Sequence, residues 1–375
     1  MDWEALRAEF PITRNYNFQD HAAVAPLCRR AAEAARQYLR EAEETSYLGG
    51  AFYRHIDQVR QQCATLINAN ADEVTFIKNT TEGLNFVANG LSWNTGDNIV
   101  TTSVEYPANR YPWQALESRG VKLNVVLEEE GRIPIEKLIA AINSRTRLVA
   151  ISSVQFASGY RTDLATLGEH CTSKGVLLCV DAIQSLGAMP VDVRAMNIDF
   201  LAADGHKWLC GPEGCGLFYV RKELQGHLRP TCVGVFSMKQ GTDFAHYRFE
   251  FHDDIRRYDG GAFNIMGIYA LGGALDMILE IGLQHVTARI IALTDRLVRG
   301  VRDKGYRVIS SRQPAEASGI VSFISDVHDH EEIRGHLKAE HRIVISTRNG
   351  RLRASPHVYN SEKEIDRLVE VLPRH

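Results

Sequence analysis

The sequence lacks both common nucleotide-phosphate signatures: no G-x-x-x-x-G-K-[ST] loop occurs, and no G-x-G-x-x-G follows a strand-like run. ATP and NAD are therefore poor fits. It has no apolar run long enough to span a bilayer, so no membrane partner is expected. The opening stretch, MDWEALRAEFPITRNYNFQD, has no apolar core of a secretion signal, so a cytoplasmic location is expected. No excess of one charge is present either: 43 Lys and Arg stand against 46 Asp and Glu, a net charge of -3. That leaves no broad basic field for nucleic acid and makes a small molecule the expected partner. Cysteine is sparse and scattered, at positions 28, 63, 171, 179, 210, 215 and 232. An odd count in a chain this size reads as reduced thiols, mostly core. Cys210 and Cys215 have no second pair at ligand spacing, so no metal is expected. Internal repeats and low-complexity linkers are also missing.

What is present is the composition of a folded protein: 375 residues, 45% hydrophobic and 24% charged, enough for two domains. Helical spacing covers residues 22–45 and 53–68. Strand-like runs then alternate with helical ones: EVTFIK, DNIVTTSV, KLNVVLEE, TRLVAISSV, GVLLCVDA, IDFLAAD and GLFYV. Buried apolar strands alternating with helices predict an α/β fold with a mainly parallel sheet. After residue 263 the pattern changes to a long helix, IMGIYALGGALDMILEIG, and a mixed α+β tail ending in EKEIDRLVEVL. The expected division is a large domain over 19–262 and a small one made of 1–18 and 263–375.

Three segments carry chemistry. In KNTTEGLN, the residues Asn79, Thr80 and Thr81 lie between a strand and a helix, where hydroxyls and unpaired first-turn N–H groups can hold an anion; a plain N-cap fits the same residues. In LLCVDAIQSLG, Asp181 ends a buried strand and needs a cationic partner, such as a protonated heterocycle nitrogen, unless it caps a helix. Gln184 fits a capping box or a second ligand contact. In GHKWLCGPEGCG, Lys207 offers an amine beside a Gly-rich turn. An amine for a Schiff base, an anion for a pyridinium nitrogen and a phosphate cradle are what pyridoxal 5'-phosphate requires.

With LRASPHVYN added, these motifs stand in the order found in the class V aminotransferases, which the chain resembles over nearly its whole length. That family belongs to the fold-type I pyridoxal phosphate enzymes and includes cysteine desulfurases and isopenicillin N epimerase. The resemblance implies a homodimer with its site at the subunit interface. It implies that Lys207 forms the Schiff base and moves the substrate's α-proton, and that Asp181 partners the pyridinium. Gln184 would reach the phenolic oxygen, Thr80, Thr81 and His206 would hold the phosphate, and Tyr106 would stack on the ring where relatives commonly have histidine. Arg353 would bind the substrate α-carboxylate, with Arg348 nearby, and His21 would approach the substrate.

Four departures from the family pattern bear on the reaction. No cysteine follows Cys232, so the desulfurase nucleophile is missing from the stretch before the arginine motif. Ala262 replaces a threonine that reaches across the dimer, Asp204 replaces a phosphate-binding serine, and Phe156 replaces an asparagine. An anion beside a phosphate is repulsive, so Asp204 is expected to point away or pair with a cation. The resulting expectation is β-elimination on cysteine or a cysteine conjugate, a C–S lyase reaction without a persulfide cysteine. Transamination and epimerisation stay open, as does a retired fold that only binds a partner.

Overall fold

The computed structural model describes residues 1–48, 50–239 and 245–374. The seven strand-like runs form one sheet: β1 Val74–Ile77, β2 Asn98–Thr102, β3 Lys122–Val126, β4 Thr146–Ser152, β5 Leu177–Asp181, β6 Phe200–Asp204 and β7 Gly216–Val220. Their order is β1-β7-β6-β5-β4-β2-β3. β7 runs antiparallel to both its neighbours, and every other pair is parallel. The continuous apolar runs follow from burial on both faces. On β4, Val149 and Ile151 enter one core cluster while Leu148 and Ala150 enter the other, as the two-residue strand period requires.

Helices Arg29–Glu44, Ala51–Ile67 and Ile265–Ile281 pack together against one face. The first begins seven residues later than its spacing predicts. Pro26 has no amide hydrogen to continue a helix, and the Ala25 N–H instead donates to the His206 carbonyl at 2.8 Å. Among the described residues no single helix is long and apolar enough to cross a membrane.

The tail builds an antiparallel sheet from β8 Arg307–Val308, β9 Val321–Ile324, β10 Ser346–Arg348 and β11 Arg351–Ala354, in the order β10-β11-β9-β8. It has its own apolar cluster, including Leu297, Phe323, Leu337 and Leu368. The N-terminal segment is tied to this unit by Asn17–Phe18 pairing with Ile343–Val344 and by Arg7 bonding to Glu364 at 2.6 Å. Helix Ile265–Ile281 belongs instead to the main cluster. We therefore propose the boundary between large and small units near Gly282 rather than at residue 263.

Two glycines set how closely the site-bearing segments approach the sheet. A Cβ at Gly83 would lie 2.8 Å from the Ala202 Cβ, so its absence lets the helix Thr80–Gly90 sit directly on β6. Gly187 has φ +92°, and a Cβ there would lie 2.3 Å from the Trp208 carbonyl oxygen. Both strain and collision oppose any side chain. Gly187→Ala is expected to cost roughly 2 to 5 kcal/mol and to displace the Lys207–Trp208 segment. Urea unfolding measures the first effect; unchanged stability would count against this packing account.

Candidate active site

The C-terminal ends of β1, β2, β4, β5 and β6 converge on one edge of the sheet, the usual place for ligands in open α/β folds. A cavity of about 420 Å³ lies there. Ten residues expected from the sequence line it: Asn79, Thr80, Thr81, Tyr106, Asp181, Gln184, His206, Lys207, Arg348 and Arg353. His21 does not. It is fully buried behind the cavity, its ring stacked 4.4 Å from that of His357 and its Nε2 2.8 Å from the Tyr359 hydroxyl. Burial pushes both imidazoles below their ordinary range, His357 to about 3, so this pair belongs to the neutral core.

Lys207 sits on a bend closed at its base by Gly205 N–H bonds to the Cys215 carbonyl (2.9 Å) and Gly211 N–H bonds to the Gly205 carbonyl (2.9 Å). Its amine lies 5.4 Å from the centroid of the Tyr106 ring. Burial lowers its pKa to about 8; Asp181 opposes that shift, while Arg353 and Arg348 add to it. A lysine so placed gives up its proton near neutrality and becomes a nucleophile or base.

Asp181 ends β5 and is followed by a turn, not a helix, so neither the helix-cap reading nor the Gln184 capping box holds. Its Oδ1 accepts the Ile183 N–H at 3.0 Å. Burial raises its pKa to about 7; the Ile183 bond and Lys207 lower it, and Glu105 raises it further. This carboxylate is costly alone and is stabilised by any cation brought against it. The Gln184 amide donates to the Ala22 carbonyl and accepts from Trp208 Nε1, both at 3.0 Å, leaving one N–H for a ligand.

At the other end of the cavity, Asn79 caps the helix Thr80–Gly90 by accepting the Glu82 N–H at 2.9 Å. Its side-chain oxygen is thus engaged by the helix, while Thr80 and Thr81 open the first turn. Thr80 Oγ1 accepts the Asp204 N–H at 3.0 Å and keeps its own hydrogen for an anion. Asp204 turns to the Gly205 N–H and toward His206. Its Oδ1 accepts the Gly205 N–H at 2.7 Å, and its Oδ2 lies 2.9 Å from His206 Nδ1, an ion-pair distance without straight hydrogen-bond geometry.

Arg353 is 1% exposed. Its Nε donates to Ser346 Oγ (3.1 Å), Nη1 to the Phe156 carbonyl (2.8 Å) and Nη2 to Asp20 Oδ1 (3.2 Å), so one N–H remains on each terminal nitrogen. Two free N–H groups on one guanidinium can serve a carboxylate. Arg353→Ala leaves Asp20 buried without its cation and is expected to lose about 3 to 5 kcal/mol of stability. Burial already raises the Asp20 pKa against the pull of Arg353. A folded-state pKa above the unfolded value favours folding at low pH, so the deficit should shrink at pH 4 relative to pH 8. Denaturant curves at both values test this; an equal deficit would count against Asp20 as its cause.

Sequence reasoning passed over Glu105, although it directly precedes Tyr106. This fully buried carboxylate accepts from Asn109 (3.0 Å), Gln155 (2.8 Å), the Ser152 N–H (2.9 Å) and the Ser152 hydroxyl. These bonds offset its burial and fix the loop that carries Tyr106, whose ring meets Phe156 edge-on at 5.2 Å. The signal was local: Glu105 and Asn109 stand four residues apart around the aromatic.

An amine, a buried carboxylate lacking a cation, a helix first turn with two threonines and a guanidinium with two free N–H groups share one cavity. These residues fit pyridoxal 5'-phosphate, with the amine and carboxylate at its ring and the helix turn at its phosphate. Fold and site together define a fold-type I enzyme of that cofactor class. Residues 17–368 match the family described as Aminotransferase class-V, and the chain belongs to it. It is therefore a pyridoxal phosphate-dependent enzyme. The probable cysteine desulfurase of Methanothermobacter thermautotrophicus is 30% identical, with 99% of this chain and 98% of that protein covered. The apo cysteine desulfurase from Thermococcus onnurineus NA1 superposes with a TM-score of 0.91 at 28% identity, covering 98% of this chain and 96% of that one. The cystine C–S lyase C-DES, solved with its reaction product cysteine persulfide, gives a TM-score of 0.88 at 25% identity, covering 96% of this chain and 98% of that one.

Proposed function

We propose that the chain is a C–S lyase that eliminates the β-sulfur substituent of cysteine or a cysteine conjugate, without carrying a persulfide on a cysteine of its own. The observation that carries this reading is the β10–β11 connection. Arg348 pairs directly with Arg351, and the turn between them is Asn349–Gly350, both at positive φ, 49° and 69°. A two-residue hairpin of this kind is the tightest available and has no length to deliver a cysteine to the cavity. None of the cavity-lining residues is a cysteine; six of the seven thiols are buried elsewhere, and Cys232 is exposed.

Pyridoxal phosphate, when bound, supplies an electron sink for charge at the substrate's α-carbon. In this reading Lys207 holds the cofactor until substrate arrives, then takes the α-proton. Asp181 stays ionised against the pyridinium nitrogen. Arg353 grips the α-carboxylate through its two spare N–H groups and so fixes which bond at the α-carbon faces Lys207. Gln184 turns its spare N–H toward the phenolic oxygen, and Thr80, Thr81 and His206 hold the phosphate. Tyr106 covers the ring. The Cβ–S bond breaks with its electron pair leaving on sulfur, and the remaining three-carbon enamine takes up water to give pyruvate and ammonia.

The reading includes a homodimer in the cytoplasm. Val24 and Tyr106 line the cavity, Tyr111 lines the groove next to it, and all three are exposed, an apolar rim suited to a second copy. Sedimentation should give about twice the chain mass. Purified holoenzyme incubated with cysteine, cystine and S-substituted cysteines, with no keto-acid acceptor, should release pyruvate steadily beyond one equivalent. A protein with the cofactor's visible band that releases none would overturn the lyase reading and direct attention to transamination and epimerisation.

A further inference from the structure

Three arginines share one face of the β10–β11 hairpin, and one of them has no ion-pair partner among the described residues. Directly opposed residues of antiparallel strands point the same way, and Ser346 opposes Arg353 while Arg348 opposes Arg351. Arg351 is paired with Glu128 at 2.7 Å and Arg353 with Asp20 at 3.2 Å. Arg348 makes one hydrogen bond among the described residues, from Nη1 to the Thr347 carbonyl at 2.7 Å, and no Asp or Glu among them lies within ion-pair distance. It is half-buried and lines the cavity together with Arg353 and Lys207, and its charge depresses the pKa of both.

Asp20 feels the Arg348 charge, but its bonds go to Ser346 and Arg353, so Arg348 has no bonded carboxylate among the described residues and an incoming anion can take that place. The α-carboxylate does not need Arg348, because Arg353 keeps one N–H on each of its terminal nitrogens. The other cavity acids have different tasks or positions. Asp181 ends β5 beside Lys207, Asp204 is bound to the Gly205 N–H and set against His206, and Glu213 is exposed on the Gly-rich turn after Lys207.

We propose that Arg348 reads a second acidic group on the substrate side chain. The substrate class is then an amino acid whose side chain ends in a carboxylate or sulfur oxyanion. This rests on the reading that Arg353 takes the α-carboxylate, but it does not depend on C–S cleavage.

The test uses holoenzyme and isosteric ligand pairs that differ only in the distal charge: aspartate with asparagine, and S-carboxymethylcysteine with its amide. Dissociation constants are read from the change in the visible spectrum. The acid of each pair should bind at least about tenfold more tightly than the amide. Arg348→Gln should remove that preference while leaving the amide's dissociation constant within about twofold. Failure of any ligand to bind, absence of the preference in the native enzyme, or its survival in Arg348→Gln would each overturn the proposal. Equal weakening of acid and amide would also overturn it, by assigning Arg348 to the α-carboxylate. If the preference holds while no pyruvate forms, the lyase reading falls and this one stands.

Discussion

Lys207→Ala should abolish steady pyruvate release, with a loss of roughly 10³-fold or more, and should remove the visible absorbance of the covalently held cofactor. On the proposed reading, the one amine among the described cavity-lining residues serves as both anchor and base. Nothing else among them replaces it, since the other basic side chains are two guanidiniums, which keep their protons, and the His206 imidazole beside Asp204. The fold should survive, because Lys207 makes no ion pair among the described residues and its removal takes a partly desolvated amine out of a buried site. A small primary amine added to the variant should restore part of the turnover by entering the vacated space. Undiminished pyruvate formation in Lys207→Ala would remove Lys207 from the chemistry.

Asp181→Asn should lower kcat by roughly 10² to 10³-fold, the range for losing one preorganised electrostatic partner at a developing charge. Stability should move the other way or not at all. The asparagine oxygen can still accept the Ile183 N–H, while the buried negative charge, already pushed up to about 7 by desolvation, is gone. The pairing of lost turnover with an equal or raised melting temperature of the cofactor-free protein separates a chemical role from a structural one. A large fall in stability with near-native kcat would make Asp181 a structural residue.

Legibility differed from element to element. The inner strands β4 to β7 were readable from their apolar runs, the pattern that burial on two faces imposes, while the edge strand β3, KLNVV, has Lys122 and Val125 exposed and reads through its β-branched residues. The helix expected from residue 22 was misplaced because helical spacing continues through Ala22–Leu27 although Pro26 breaks it, and this stretch instead lines the cavity and bonds to the Lys207 bend. Lys207, Asp181 and Arg353 were readable as motif residues. His21 was not, because its depth depends on Trp208, His357 and Tyr359, which come from distant parts of the chain. Asp204 looked like a defect in isolation. In the structure its carboxylate lies 2.9 Å from His206 Nδ1 and accepts the Gly205 N–H.

By itself the sequence determined the α/β class, the cofactor chemistry and the absence of a cysteine near the arginine motif, because these reside in local runs and in the identities of single residues. Tertiary structure decided which side chains are already spoken for. The Asn79 carbonyl oxygen caps a helix, Gln184 has one free N–H, Arg353 has two, and Arg348 alone of the three arginines on its hairpin face makes no ion pair among the described residues. Those facts depend on partners up to 333 residues away in the chain, as Asp20 is from Arg353. Hydrogen-bonding capacity is set by the residue type; how much of it remains for a ligand is set only once the chain has folded and its distant partners have met.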